Sequence, residues 1–473
     1  METARVIMAA LAADGQEAYV VGGAVRDLLR GVPPVDIDIA TNATPDRIIA
    51  VTEAKGWKAI PVGVAFGVIT VVANNQSYEV ATFRSERYGV DSHRPEAVTL
   101  GVDLAKDLAR RDFTFNAMAM AADGKIIDLF GGQQDLKAQL IRTVGKPEER
   151  FAEDGLRMFR AARFAARLGF NLEAMTFAAI PASLERIQGL SVERVRTEIE
   201  KTLLSPFAAR GLDIMLKSGL LAGNCLGKEQ GKTHPVPILP ELCHLDGLLQ
   251  NPRYHLHDGW RHTLAVTELV PGDLSLRWAA LLHDVAKGWP EIRVTNREGQ
   301  PSDPGHDKAG AQAAAVILRR LRVDRQVVEQ VEWLIRNHLM FPVVEEKAVH
   351  KWLKRLSKEF KGPESFKDAL DRLFSLHQAD RLGGHTLPDM VGLQAVKEIA
   401  DRLMVRVPFF PSQLALSGGE IANKLGGGPE VGRFQQNLLT RIQAGQLANT
   451  KESLVPALAA RVRRLTQKTD EKS

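Results

Sequence analysis

Short apolar runs closed by glycine and turn residues fill roughly the first 145 of the 473 residues, and helix-period patterns dominate the rest of the chain. Ala18-Tyr19-Val20-Val21 predicts a strand that stops at Gly22-Gly23, and Ala24–Arg30 predicts the helix after it. The stretch Val35–Ala40 alternates. Residues two apart in a strand share a face, so Asp36 and Asp38 are expected on one side, with Val35, Ile37 and Ile39 pointing into a core. Phe66–Val72 and Tyr78–Phe83 predict two further strands, the second carrying Glu79. Leu108–Ala119 is expected to be a loop that enters a helix.

From about residue 146 the pattern is helical, with Leu156, Phe159 and Phe164 interleaved with arginines and a stop at Gly169. Residues 224–254 hold Pro235, Pro237, Pro240 and Pro252 and few periodic apolar positions, and are read as a boundary. Gly426-Gly427-Gly428-Pro429 marks a turn between helices of the tail. The organisation expected is multidomain α+β: a mixed-sheet region over 1–145, a helical region over 146–250, a histidine-rich helical domain over 251–390 and a helical tail over 391–473. No internal repeat interrupts it.

Three groups of residues carry chemistry. Ionised carboxylates crowded together, as at Asp36 and Asp38, repel one another unless a hard divalent cation sits between them, and Mg²⁺ suits their oxygens. Glu79 on a nearby strand would help position that ion or activate an attacking hydroxyl. Backbone N–H groups at the glycine turn can approach a phosphate closely. Together these suggest a nucleoside triphosphate and a metal. In the second group, Asp154, Arg157, Arg160 and Arg163 recur every three residues and are expected to form a stripe on one helical face. A carboxylate accepts from the exocyclic amine of cytosine or adenine, and a guanidinium donates to the neighbouring ring nitrogen or carbonyl. Uracil and guanine present the opposite polarity there, at a cost of ~1–3 kcal/mol for each buried group left unpaired. The third group is Arg261-His262-Thr263, His283-Asp284 with Lys287, Gly305-His306-Asp307, Asn337-His338 and Ala379-Asp380. Imidazole nitrogens and carboxylate oxygens on separate helices can converge on one divalent metal.

With Leu108-Ala109-Arg110-Arg111-Asp112-Phe113-Thr114-Phe115-Asn116 and Glu153-Asp154-Gly155-Leu156-Arg157 added to the glycine pair and the Asp pair, the chain resembles the tRNA nucleotidyltransferase and bacterial poly(A) polymerase family, within it the class of CCA-adding enzymes found in bacteria and eukaryotes. The likeness runs from the glycine pair through the Gly428-Pro429 region. It implies template-independent addition of CCA to the 3′ end of tRNA from CTP and ATP, with Asp36 and Asp38 holding Mg²⁺ and pyrophosphate leaving. It further implies triphosphate contacts from Gly23 and Arg26, phosphate or ribose contacts from Arg111, and base selection by Glu153, Asp154 and Arg157, with Arg160 and Arg163 extending the cationic wall. Gly155 stands where the family commonly has proline, a change expected to loosen the first turn while removing no contacting group. Arg87–Pro95 resembles the flexible loop needed for the final adenosine, which CC-only relatives tend to lack. The histidine-rich motifs resemble an HD-domain phosphohydrolase, which implies His262, His283, Asp284 and Asp380 as ligands of a divalent metal, His306 and His338 as accessory groups and Lys287 against the substrate phosphate. Cyclic 2′,3′-phosphate or 2′-phosphate ends are the substrates that reading favours.

Four other readings stay in view. A poly(A) polymerase usually carries an arginine-rich segment after the Asp pair, where this chain reads Val62–Val68 in the form usual for CCA enzymes. An A-adding specialist shares nearly the same motifs. An HD hydrolase of free nucleotides, or a catalytically silent RNA-binding protein, would not require intact Asp36, Asp38, Asp154 and Arg157. A net charge of +5 is mild, so a nucleic-acid surface must come from local clustering, and phosphate contacts there should make binding fall with salt. Two cysteines, Cys225 and Cys243, supply neither a disulfide framework nor a zinc set and point to a reducing compartment. With no apolar run approaching ~18 residues and no signal-like start, a cytoplasmic location and no membrane partner are expected. These motifs do not encode an oligomeric state.

Overall fold

The computed structural model describes residues 1–88, 95–384 and 389–470. It contains two compact units: Met1–Gly247 with Gly272–Arg277 and Val316–Arg325, and Leu248–Pro271 with Trp278–Ala315 and Gln326–Ser473.

The first unit opens with nine strands in chain order: β1 (Ala18–Val21), β2 (Asp38–Thr41), β3 (Lys58–Gly63), β4 (Val68–Ala73), β5 (Gln76–Thr82), β6 (Arg84–Tyr88), β7 (Pro95–Leu100), β8 (Met118–Met120) and β9 (Ile126–Asp128). Seven form one mixed sheet in the order β3-β4-β5-β2-β1-β8-β9, and β6 and β7 form a separate hairpin. Within the seven-stranded sheet only β2 and β5 run parallel. Apolar residues on one face, among them Val20, Ile39, Ile69, Val71, Val80 and Met118, pack with Ile7, Leu11 and Ile48 of flanking helices into one core.

The strand expected at residues 35–40 starts only at Asp38. Asp36 lies in a bend, and Val35 is 84% exposed rather than in the core. Prolines 33 and 34, which lack the N–H a ladder needs, explain the late start. Leu108–Ala119 also differs from expectation. Its helix comes first, Leu104–Ala109 capped by Asp103, and the arginine pair leads through a 3-10 turn, Thr114–Asn116, into β8. The short spacing between Arg111 and the apolar Met118-Ala119-Met120 leaves no room for a further helix.

Behind the sheet, helices Pro147–Glu153 and Leu156–Leu168 carry the neck. The second ends as expected at Gly169, whose φ of +72° closes it in the left-handed conformation that glycine adopts without strain. Phe164 of this helix joins Phe113, Phe115 and Phe170 in an aromatic cluster. Residues 224–254 are not merely a boundary. They hold an antiparallel hairpin, Asn224–Glu229 with Lys232–Pro237, followed by a turn that buries Leu242 and Leu245.

The second unit is dominated by helices, with one small hairpin, Val294–Thr295 with Pro301–Ser302. Helices Gly259–Leu269 and Pro363–Gly384 bear His262 and Asp380, and His283 and Asp284 follow helix Leu274–Leu282 directly. The tail packs Leu416, Ile421, Phe434, Leu438 and Leu454 around the turn at Gly426-Gly427-Gly428, where φ is +84°, +81° and +73°.

Candidate active site and HD metal centre

Asp38 is the first residue of β2, paired in register with Glu79 on the parallel strand β5, so both side chains leave the sheet on one face. Burial pushes the Asp38 carboxyl above its ordinary value, the Glu79 charge adds to this, Arg111 opposes it, and Asp36 from the preceding bend raises it further. The three acids are therefore neighbours, although Asp36 and Asp38 do not share a strand. An oxygen-only set in which the Glu79 and Asp36 charges oppose ionisation of Asp38 fits a hard divalent cation such as Mg²⁺.

Beside them the glycine turn is shaped by a close approach. Gly22 has φ +71°, and a Cβ on it would fall 2.9 Å from Nη1 of Arg111. Arg111 is held by Asp107, 3.2 Å away, which also binds Arg110 at 2.9 Å. Arg26 is clamped by both oxygens of Asp27, at 2.8 and 3.0 Å, and by Asn116 at 2.9 Å. Its guanidinium lies over the Phe164 ring, which Arg160 and Arg163 also cover, Arg163 at 4.6 Å.

Asp154 is not on the helix that carries the arginines. It occupies an extended residue, φ −142° and ψ 108°, in the kink between the two neck helices. Arg157, 6% exposed, donates to the backbone oxygens of Arg150 at 3.1 Å and Arg110 at 2.8 Å and pairs with Glu153. Arg160 binds Asp112 at 2.8 Å, and Arg163 binds Glu198 at 2.7 Å. Burial pushes the Asp112 carboxyl up, but the Arg160 charge and its hydrogen bonds win, and the net pKa falls to about 2. Burial lowers the pKa of Arg163 from the usual guanidinium range.

A single cavity of about 660 Å³ joins these groups: Gly23, Arg26, Asp36, Asp38, Arg111, Asp154, Arg157, Arg160 and Arg163 all line it. Glu79 borders Asp38 through the strand pairing. Sequence reasoning missed Asp27, Asp112, Asn116 and Phe164, which fix the arginines, and Arg194, which reaches Asp154 at 3.4 Å. The signal for Asp27 and Asp112 was present, because each follows an arginine directly in the chain. The segment Arg87–Pro95, read as a flexible loop, falls largely outside the described residues.

In the second unit, His262 Nε2 lies 3.1 Å from Asp380, 3.4 Å from Asp284 and 3.2 Å from His283 Nε2. Asp284 further meets His283 at 3.2 Å, His306 at 3.2 Å and Lys287 at 2.7 Å. His283, His306 and His338 each place Nδ1 at 2.6–2.8 Å from a carbonyl three residues earlier, those of Ala280, Asp303 and Ile335. Only a protonated Nδ1 can donate there, which turns the Nε2 of each ring inward. His338 Nε2 is buried without a hydrogen-bond partner among the described residues. Burial opposes charge on His283, yet Asp284 and Asp380 carry its pKa up to about 10, whereas burial and the neighbouring His283 and His306 push His338 down to about 3. His262, His283 and Asp284 bring ligand atoms close enough for one ion, and Asp284, His306 and His338 do so for another. This donor set of nitrogens and carboxylate oxygens fits a divalent metal. His255, absent from the sequence motifs, packs its ring 5.2 Å from that of His262, and burial lowers its pKa to about 3.

Three family profiles match the chain: the poly(A) polymerase head domain over residues 18–142, a probable RNA- and SrmB-binding site of polymerase A over 169–223, and the HD domain over 259–382. Among curated proteins, the CCA-adding enzyme of Geobacillus thermodenitrificans is 50% identical over 206 residues, 44% of this chain and 50% of that one. That of Limosilactobacillus fermentum is 43% identical over 230 residues, 49% and 56% of the two chains. The chain thus spans about half the length of the curated relatives it matches. The structure of the Bacillus stearothermophilus CCA-adding enzyme in complex with CTP superposes with a TM-score of 0.68 at 29% identity, covering 99% of this chain and 98% of that one.

Proposed function

We propose that this chain, which matches the poly(A) polymerase head domain over residues 18–142 and the HD domain over residues 259–382, adds C, C and A to the 3′ end of tRNA from CTP and ATP without a template. The observation that carries the reading is the shared cavity, in which the Asp36–Asp38 carboxylates and the Asp154–Arg157 pair face one space. Gly23 and Arg26 bind the triphosphate, and Arg111, braced against the glycine turn, binds phosphate or ribose. Asp154 accepts from the exocyclic amine of cytosine or adenine, and Arg157, fixed by two carbonyls, donates beside it. Arg160 and Arg163, spread on Phe164, complete the cationic wall. The RNA 3′-hydroxyl then attacks the α-phosphorus in line and pyrophosphate leaves. Mg²⁺ held by Asp36 and Asp38 would lower the hydroxyl pKa and offset the triphosphate charge, and Glu79 orients that carboxylate pair.

The HD centre supports a second activity, hydrolysis of a cyclic 2′,3′-phosphate or 2′-phosphate end. His262, His283, Asp284 and Asp380 would hold a divalent metal that supplies Lewis acidity when bound, His306 and His338 would be accessory, and Lys287 would meet the phosphate. Removal of such an ester restores the 3′-hydroxyl that extension needs. Both cysteines are free, which supports a reducing compartment, and no helix among the described residues is long and apolar enough to cross a membrane.

The test is sequencing of products from tRNA transcripts ending at the discriminator base, at C and at CC, each given Mg²⁺, CTP and ATP. Extension of all three to CCA is expected. Extension of the CC transcript alone means an A-adding enzyme, and long A runs on unrelated RNA mean a poly(A) polymerase. Purified protein that binds no metal at the HD centre and cleaves neither ester removes the second activity.

A further inference from the structure

The cavity over the HD centre, about 500 Å³, is larger than a metal ion and a phosphate need. Part of its wall is the segment 251–255, just ahead of helix Gly259–Leu269. Asn251 ties this segment into a tight turn. Its carbonyl accepts the N–H groups of Tyr254 and His255, each at 3.0 Å, and its Oδ1 accepts that of Arg253, also at 3.0 Å. The turn sets the His255 ring 5.2 Å from that of His262, so Tyr254 stands one residue from the metal centre. Among the described residues Tyr254 is the only phenyl or indole ring on the lining, and it is 48% exposed, with the Arg253 guanidinium 5.5 Å from its centroid. Another part of the wall is the small hairpin of Val294–Thr295 with Pro301–Ser302, whose loop brings Asn296 to the cavity. Oδ1 of Asn296 accepts the backbone N–H groups of Glu298 and Gln300, each at 2.9 Å, so its amide nitrogen is what it offers a ligand. Glu298 of the same loop lies 3.6 Å from Arg253, which joins the two parts of the wall at the rim.

We propose that this cavity takes a nucleoside together with its phosphate, the base stacked on Tyr254 and the Asn296 amide donating to it. Every base has a π face, and every base carries a ring nitrogen or carbonyl that accepts a hydrogen bond. One stacking ring with one donor therefore demands a base without choosing among bases. An RNA end can then be processed whatever its last nucleotide. The inference rests on the hydrolytic reading of the HD centre and names its substrate class: 2′-phosphates and cyclic 2′,3′-phosphates of nucleosides, rather than phosphate esters of plain polyols.

Two measurements on the full chain test it. The sequence has four tyrosines, so 3-fluorotyrosine labelling gives a simple fluorine NMR spectrum in which Tyr254→Phe identifies the Tyr254 signal. In metal-free protein, adenosine 2′-phosphate is expected to shift that signal and inorganic phosphate to leave it in place. No shift with the nucleotide, or an equal shift with phosphate, overturns the proposal. In protein loaded with Mn²⁺, Co²⁺ or Zn²⁺, whichever supports hydrolysis, kcat/KM is compared for adenosine 2′-phosphate and glycerol 2-phosphate. The ratio is expected to fall about 10-fold or more in Tyr254→Ala and to stay high in Tyr254→Phe. It should fall as well in Asn296→Asp, whose carboxylate still accepts from the hairpin loop but cannot donate. A ratio that Tyr254→Ala leaves intact overturns the proposal, and a wide spread among the 2′-phosphates of the four nucleosides overturns its indifference to the base. Wild-type protein that cleaves neither ester overturns the proposed hydrolysis; a fluorine shift with the nucleotide alone then still upholds the stacking, and its absence overturns both.

Discussion

Asp38 and Glu79 sit side by side on the one parallel strand pair of the head sheet, and the charge of Glu79 raises the pKa of Asp38. Replacing Glu79 by glutamine removes that charge and keeps the shape. The Asp38 carboxyl is expected to titrate lower in metal-free protein, read by carbon NMR of labelled aspartate. The Mg²⁺ concentration for half-maximal nucleotide addition is expected to rise about 10-fold or more as an oxygen charge is lost from the set. An unchanged Mg²⁺ requirement would separate Glu79 from the metal.

Asp112 predicts an acid limit to stability. Its folded pKa of about 2 lies below the ordinary value of 3.8, so the ionised form is favoured by folding. That contribution is fully present above about pH 4 and is lost as pH falls through the folded pKa near 2. Thermal midpoints across pH 2–6 should fall more gently in Asp112→Asn than in the wild type. At neutral pH the variant should already be less stable by on the order of 2 kcal/mol, because Arg160 loses its charged partner.

Gly22 cannot be enlarged without moving Arg111. Gly22→Ala places a methyl 2.9 Å from Nη1 of Arg111 at a φ of +71°. The left-handed backbone alone costs about 1 kcal/mol for alanine, and the displaced guanidinium weakens the triphosphate site. A rise in KM for CTP and ATP of about 10-fold or more is expected in single-nucleotide addition assays. A wild-type KM would show that Arg111 does not act through the turn.

At the HD centre, His283→Gln should lose bound divalent metal, measured by elemental analysis of the purified protein, while CTP affinity stays at the wild-type value because the two sites belong to different compact units. Metal content equal to the wild type would remove His283 from the ligand set.

Much of the fold was readable in the sequence because its signals are local. The Ala18–Val21 strand, the helix after the glycines and the stop at Gly169 follow from apolar period and backbone freedom, and each stands where the pattern puts it. Local signals failed where a distant contact or a missing N–H decides. Prolines 33 and 34 delay β2, so Asp36 approaches Asp38 from a bend, and the even spacing of Asp154 with the arginines concealed a break in the helix between them. Motif residues that the sequence named do gather, in one cavity of the first unit and one cluster of the second. Among their supports, Asp27 is signalled by the arginine before it, whereas Asp107, Phe164 and Arg194 carry no motif of their own and become visible only when the chain is folded.

The carbonyls of Ala280, Asp303 and Ile335 orient three imidazoles with main-chain atoms alone. Three of the centre's imidazoles are thus aimed by the backbone itself, in contrast to a small zinc module whose ligands are gathered only by its ion. A chelator should therefore strip and a salt solution reload the HD unit with no refolding lag, so that occupancy tracks the free ion concentration as a reversible rheostat.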